Sequence, residues 1–328
     1  MSLDLLEAIR INLLAPPALF FALGVAAALV RSDLKFPEAL YTAMTIYLLV
    51  AIGFKGGVSM EEAGLGVVWL PALAALTLGA LIPLWTYPVL RHLGKLPAVD
   101  AASVAAHYGS VSAVTFTVAV NFLRDAGQPF EPYAAAFLAV MESPAIIVGI
   151  IMGKIAVRQK GSLRSSLRHA LHEAIFGRSV LLLVGSLAIG FLCGKRGMEA
   201  TAGFFVTPFQ GILALFLLEL GTVAGRRLGE LRTVGLFLLA FGVLMPVIHA
   251  MVGLALGAAV GLSMGGATLL AVLAASASYI AAPAAMRLSL SEANPTLSLT
   301  SALAITFPFN VILGIPMYFA AARWWFGG

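Results

Sequence analysis

Charge is what this sequence has least of. Only 11% of its 328 residues are Asp, Glu, Lys or Arg, against roughly 25% in a soluble globular protein, so the chain cannot cover a water-facing surface. One cysteine, Cys193, excludes an intramolecular disulfide and any cysteine-based metal cluster. There is no Walker loop and no His-Glu-x-x-His helix. Gly109-Ser110-Val111-Ser112-Ala113 lacks the last glycine of a nucleophile elbow. These absences speak against an enzyme, and ATP-driven transport would need another chain. The excess of 20 Lys+Arg over 15 Asp+Glu is small, and in an apolar chain it belongs to loops rather than to a nucleic-acid face.

What is present is apolar: 61% hydrophobic residues and a mean hydropathy of +1.00. A helix needs about 20 apolar residues to cross a bilayer. The runs predict an all-α polytopic membrane protein with about ten transmembrane helices, near 12–30, 37–58, 65–90, 98–122, 132–157, 177–194, 203–223, 233–260, 266–288 and 297–322. The long eighth run is expected to tilt, or to bend near Pro246. Met1 to Arg10 reads as a mixed amphipathic start rather than a cleavable leader.

One loop is strongly basic, with Lys154, Arg158, Lys160, Arg164, Arg168 and Arg178. The positive-inside bias places 158–176 in the cytoplasm, and counting outwards puts both termini outside. The inside loops then also hold Arg31, Lys35, Arg91, Lys95, Arg226, Arg227, Arg232 and Arg287. Only Arg10, Lys55, Arg124, Lys195, Arg196 and Arg323 remain for other positions. The expected location is the bacterial inner (plasma) membrane.

A shift of 166 positions lays Gly24 on Gly190 and Ser110-Val111-Ser112 on Ser276-Ala277-Ser278. With a two-residue gap, Pro144 meets Pro308. Five spans per half make the second copy inverted, an arrangement of many secondary transporters that bind substrate at the repeat interface. The expected organisation is 1–158 as the first repeat, 159–176 as a basic linker and 177–328 as the second repeat. The fourth and ninth spans carry hydroxyl residues at their centres, Ser110, Ser112 and Thr115 in one, Ser276 and Ser278 in the other. Unwound backbone is tolerated at that depth only around a polar cavity, and a half-helix starting there would aim free N–H groups at a small anion. Close packing of small residues is the competing explanation.

Lys55, His107, Glu142, Glu219 and His249 fall inside spans, where charge is costly. Glu142, before Ser143-Pro144, is the candidate cation or proton site. Lys55 either snorkels or acts as a charge near the broken helices. Glu219, His107 and His249 read more simply as hydrogen-bonded packing residues.

Ile52-Gly53 with Gly56-Gly57, Gly109-Ser110-Val111-Ser112 and Gly229-Glu230-Leu231-Arg232 recur in one family. So do His249, Ser263-Met264-Gly265-Gly266, Ala275-Ser276-Ala277-Ser278 and Ala293-Asn294-Pro295. Together they make the whole chain resemble the sodium-dependent bicarbonate permeases of cyanobacterial inorganic-carbon uptake. The resemblance implies a five-plus-five inverted repeat, core and gate domains, and broken, crossing fourth and ninth helices. It also implies a homotrimer, control by a cytoplasmic PII-like protein, and bicarbonate held by Gly109, Ser110, Ser112, Ser276 and Ser278. Tyr279 stands where the family carries Asp, Glu142 where it carries Asp, and Lys55 where it carries a small or neutral residue. Glu142, Lys55, Tyr279 and Asn310 are therefore the candidates for coupling to Na+ or H+ or for replacing the cation's charge, with Glu142 the candidate Na+ ligand. No resident cofactor is expected. A degenerate permease that serves a PII-like regulator, or a passive anion channel, are the alternative functions.

Overall fold

Backbone that crosses lipid finds no water to bond to, so its hydrogen bonds must close within helices. The computed structural model describes residues 5–156, 172 and 176–327, and among these every regular element is a helix. Helices α1 (Leu5–Leu14) and α2 (Pro16–Leu29) meet at Ala15 with a bend of 68°. Pro16 and Pro17 open α2, where a missing N–H leaves no intrahelical bond unmade. Then come α3 (Glu38–Ala63) and α4 (Leu65–Pro88), the second continued by a π turn at Val89–Leu93. Helices α5 (Ala98–Gly109) and α6 (Ala113–Asp125) share one span interrupted at 110–112. After α7 (Ala135–Ala156), the second half holds α8 (Arg178–Phe205), α9 (Phe209–Arg227) and α10 (Leu231–Ala259). It ends with α11 (Met264–Ala275), α12 (Ala281–Ser289) and α13 (Pro295–Trp325), the last containing π turns at Ser301–Thr306 and Asn310–Gly314.

Among the described residues eight helices are long and apolar enough to cross a membrane, and the bent α1–α2 pair raises this to nine. The ninth predicted span falls on α11 and α12, of 12 and 9 residues, neither of which reaches across alone. The sixth predicted span stops at Gly194, where the backbone leaves the helix (φ 58°) before a further helical stretch to Phe205. In α10 the non-helical residue is Gly235 (φ 77°) and not Pro246, around which the backbone stays helical. The basic linker 159–176, apart from His172 and Phe176, lies outside the described residues.

The helices can be grouped into two units, α1–α3 with α8 and α9, and α4–α7 with α10–α13. In the first, α3 lies along α8 and α2 along α9; in the second, α4, α5 and α7 pack together while α10 packs on α11, and α3 also touches α7 across the boundary. Lipid offers no hydrophobic drive between helices, so close approach at small residues decides the partners. A Cβ on Gly24 would lie 2.1 Å from the Leu218 carbonyl oxygen, and one on Gly221 2.2 Å from that of Phe21, which locks α2 on α9. The same relation holds α3 to α8, with Gly190 2.1 Å from the Phe54 oxygen and Gly57 1.9 Å from that of Leu187. No L side chain fits at these four positions without driving the helices apart. Gly24 and Gly190 are the pair that coincides in the sequence shift.

The α4–α5 connection meets the α12–α13 connection, and the α6–α7 connection meets the α10–α11 connection. The Asp100 carboxylate accepts from Asn294 N–H at 2.7 Å, and the Glu131 carboxylate accepts from Ser263 N–H at 2.6 Å and Ser263 Oγ at 3.0 Å.

Candidate functional site

The two interrupted helices break alike. Helix α5 ends as Ser110 turns extended (φ −83°, ψ 166°), and α11 ends as Ser276 adopts nearly the same angles (φ −79°, ψ 165°). Serine suits such a point because its hydroxyl can replace a backbone partner lost from the helix. Ser276 Oγ donates to Leu273 O at 2.8 Å, while Ser110 Oγ donates to Glu142 O at 3.1 Å. The second break is longer, with α12 beginning at Ala281.

The breaks touch. Ser112 N–H donates to Ser276 Oγ at 3.0 Å, and Ser278 N–H donates to His107 O at 2.8 Å. Ser112 caps α6: its Oγ accepts from Thr115 N–H at 3.1 Å and from Thr115 Oγ1 at 3.0 Å, and donates to Tyr279 OH at 3.0 Å. Ser278 Oγ accepts from Ala282 N–H at 3.2 Å in the first turn of α12. Both α6 and α12 thus start at the crossing and turn their partially positive ends toward it.

Beside the crossing is a void of about 10 Å³, lined by Val111, Ser112, Ala113, Glu142, Ser278, Tyr279 and Ile280 from one unit and by Leu49 and Ser179 from the other. It lies on the seam between the units. A space of roughly 10–15 Å³ admits a single water, so this void has room for one water-sized species and not for a carbonate-type oxyanion. Ser179 and Ile280 also line a cleft of about 320 Å³ beside Arg178.

The predicted residues divide accordingly. Ser112, Ser278, Glu142 and Tyr279 line the void; Ser110, Ser276 and Thr115 stand behind it and hold the break. Gly109 is a packing position, since a Cβ there would lie 2.4 Å from Pro83 Cγ. Asn310 is spent on the end of α11: its Nδ2 donates to Ala275 O at 2.8 Å, and its Oδ1 accepts from Tyr318 OH at 2.8 Å. Lys55 lies elsewhere, its Nζ 4.2 Å above the Phe209 ring, in a cleft that shares no residue with the void. His107 Nδ1 faces Ser103 O at 2.7 Å, which makes it the protonated nitrogen, and His249 Nε2 meets Thr86 Oγ1 at 3.2 Å. Glu219 Oε2 accepts from Thr222 Oγ1 at 2.9 Å, the packing role expected of it.

Sequence reasoning missed Leu49 and Ser179. Ser179 was hidden by its place beside the basic linker, and Leu49 has no signal beyond its apolarity. Among the described residues no three His, Cys, Asp or Glu side chains gather in a metal-binding group. The donor set at the void is one carboxylate with serine and tyrosine hydroxyls, hard oxygens that suit a proton or an alkali cation.

Comparison with curated proteins finds no match. The sequence pattern of the Na+-dependent bicarbonate transporter superfamily matches residues 16–323, nearly the whole chain. With its apolar helices, this chain belongs to the Na+-dependent bicarbonate transporter superfamily.

Proposed function

We propose that the chain moves bicarbonate by secondary active transport, with alternating access at the crossing of the two broken helices. The observation that carries this reading is the placement of that crossing on the seam between the two helix units, where relative motion would open it to either side. A channel needs a continuous pore, whereas the void has a volume of only about 10 Å³. In this reading the two helix N-termini and the Ser112 and Ser278 hydroxyls meet the anion once the units part. Na+ is co-substrate at Glu142, whose carboxylate lines the same void. Proton coupling through Glu142 is the alternative.

The matched break angles, and the matched Gly24–α9 and Gly190–α3 contacts, support a five-plus-five inverted repeat with ten crossings. The positive-inside bias then puts the Arg178 cleft in the cytoplasm and the Lys55 cleft outside. A cysteine introduced at Gly161 should resist a membrane-impermeant thiol reagent in intact cells and react after permeabilisation; labelling before permeabilisation would reverse the orientation. Trimerisation and a PII-like regulator rest on the family resemblance alone.

The test is uptake of labelled bicarbonate into proteoliposomes. An inward Na+ gradient should accelerate uptake and drive accumulation above equilibrium. Downhill flux alone, indifferent to Na+ and to pH gradients, would indicate a channel. No flux at all from folded protein would leave the regulator-binding reading in its place.

A further inference from the structure

A second cleft with charged walls lies away from the crossing. It has a volume of about 480 Å³, within the roughly 300–1,000 Å³ of ligand sites, and opens between α3 and the start of α9 on one unit and α6 with the 127–130 loop on the other. Two cations line it, Lys55 from α3 and Arg124 from the last turn of α6, close enough to repel each other. Neither has an ion pair among the described residues. Two carboxylates of neighbouring segments are engaged elsewhere: Glu131 is bonded to Ser263, and Glu61 faces the Gly194 kink. Lys55 rests on the Phe209 ring, a contact that fixes its ammonium without neutralising it. Thr117, Asn121 and Gln128 add polar groups to the wall. Asn121 and Gln210 exchange two amide hydrogen bonds, of 3.0 and 2.8 Å, between α6 and α9.

Two unpaired cations of separate helix units facing one roomy cleft repel each other until an anion lies between them. We propose that the Lys55–Arg124 cleft is a second anion site, a vestibule that takes small inorganic anions, bicarbonate among them, before they reach the crossing. The identity of the anion rests on the transport reading above; the site itself does not. Lys55 lies six residues beyond Leu49 of the inner void, about 9 Å along α3 at 1.5 Å per residue. The cleft has space for a hydrated anion, whereas the inner void does not. The vestibule therefore concentrates the anion by charge and leaves dehydration to the inner site. Arg124 also sits where the negative end of α6 favours a cation, but that role gives no reason for Lys55 to face it.

The test uses the full chain in detergent and does not depend on transport. Pyridoxal 5′-phosphate, an anionic aldehyde, is allowed to form an imine with accessible lysines; the imine is reduced and the labelled peptides are quantified. At fixed pH and ionic strength, bicarbonate should slow labelling of Lys55 several-fold relative to gluconate, with exposed Lys195 unaffected. Arg124→Gln should remove that protection. Ser112→Leu, which blocks the inner void, should keep it. Equal labelling of Lys55 in both anions, equal protection of Lys195, protection that survives Arg124→Gln, or protection lost in Ser112→Leu would each overturn the proposal. Protection in a protein that shows no bicarbonate uptake would retain the vestibule and remove the transport reading.

Discussion

Ser112→Leu is expected to abolish bicarbonate uptake while the protein still inserts and folds. The leucine would have to enter a void of about 10 Å³, between helix ends already in hydrogen-bond contact. It also removes the Oγ that caps α6 and bonds Tyr279; loss of an N-cap alone costs about 0.5–2 kcal/mol. Ser112→Ala separates the two effects, because it loses the cap and keeps the space. Alanine should leave measurable uptake and a modestly lowered melting temperature, whereas leucine should leave none. Ser278→Leu should behave as Ser112→Leu does, since Ser278 lines the same void and its backbone N–H bond to His107 O is untouched by the change. Uptake is measured against the amount of protein in the membrane. Wild-type uptake by either leucine variant would remove these side chains from the substrate path.

The second large effect is expected at Glu142. The residue is buried at 6% exposure, lines the void, and has no cationic side chain among the described residues paired with it. A lone acidic group in a membrane span costs about 2.5–3.5 kcal/mol on insertion scales, so it is retained only with a cation or proton as partner. At an effective dielectric constant near 20, a unit charge about 4 Å from a cation is worth about 4 kcal/mol. Glu142→Gln keeps the shape and deletes the charge. Its half-saturating Na+ concentration should rise by at least about tenfold, the equivalent of 1.4 kcal/mol, with uptake falling accordingly. Uptake is followed against Na+ at fixed pH, then against pH in Na+-free buffer, for both proteins. A wild-type response to pH alone that the variant lacks would make the proton the coupled ion. An unchanged Na+ curve in Glu142→Gln would end the assignment of the cation to this residue.

The membrane class follows from the sequence without folding it, because 11% charge cannot clothe a soluble surface. The two breaks were legible too: hydroxyl residues at the centres of the fourth and ninth runs mark where a helix can stop and satisfy its freed groups from side chains. Gly24 and Gly190 were legible as a matching pair but not as contacts. A membrane helix is apolar on every side, so its sequence carries no moment to say which face meets which neighbour. Only the tertiary structure sets α2 on α9 and α3 on α8, and with them the seam on which Leu49 and Ser179 face Glu142. The same limit applies to the polar candidates. Asn310, Lys55 and Tyr279 were grouped by chemistry, yet packing spends Asn310 on a carbonyl at the end of α11, places Lys55 over Phe209 in a separate cleft, and brings only Tyr279 to Ser112. Residue types fixed which groups could act, and the crossing of the helices decided which of them share a space.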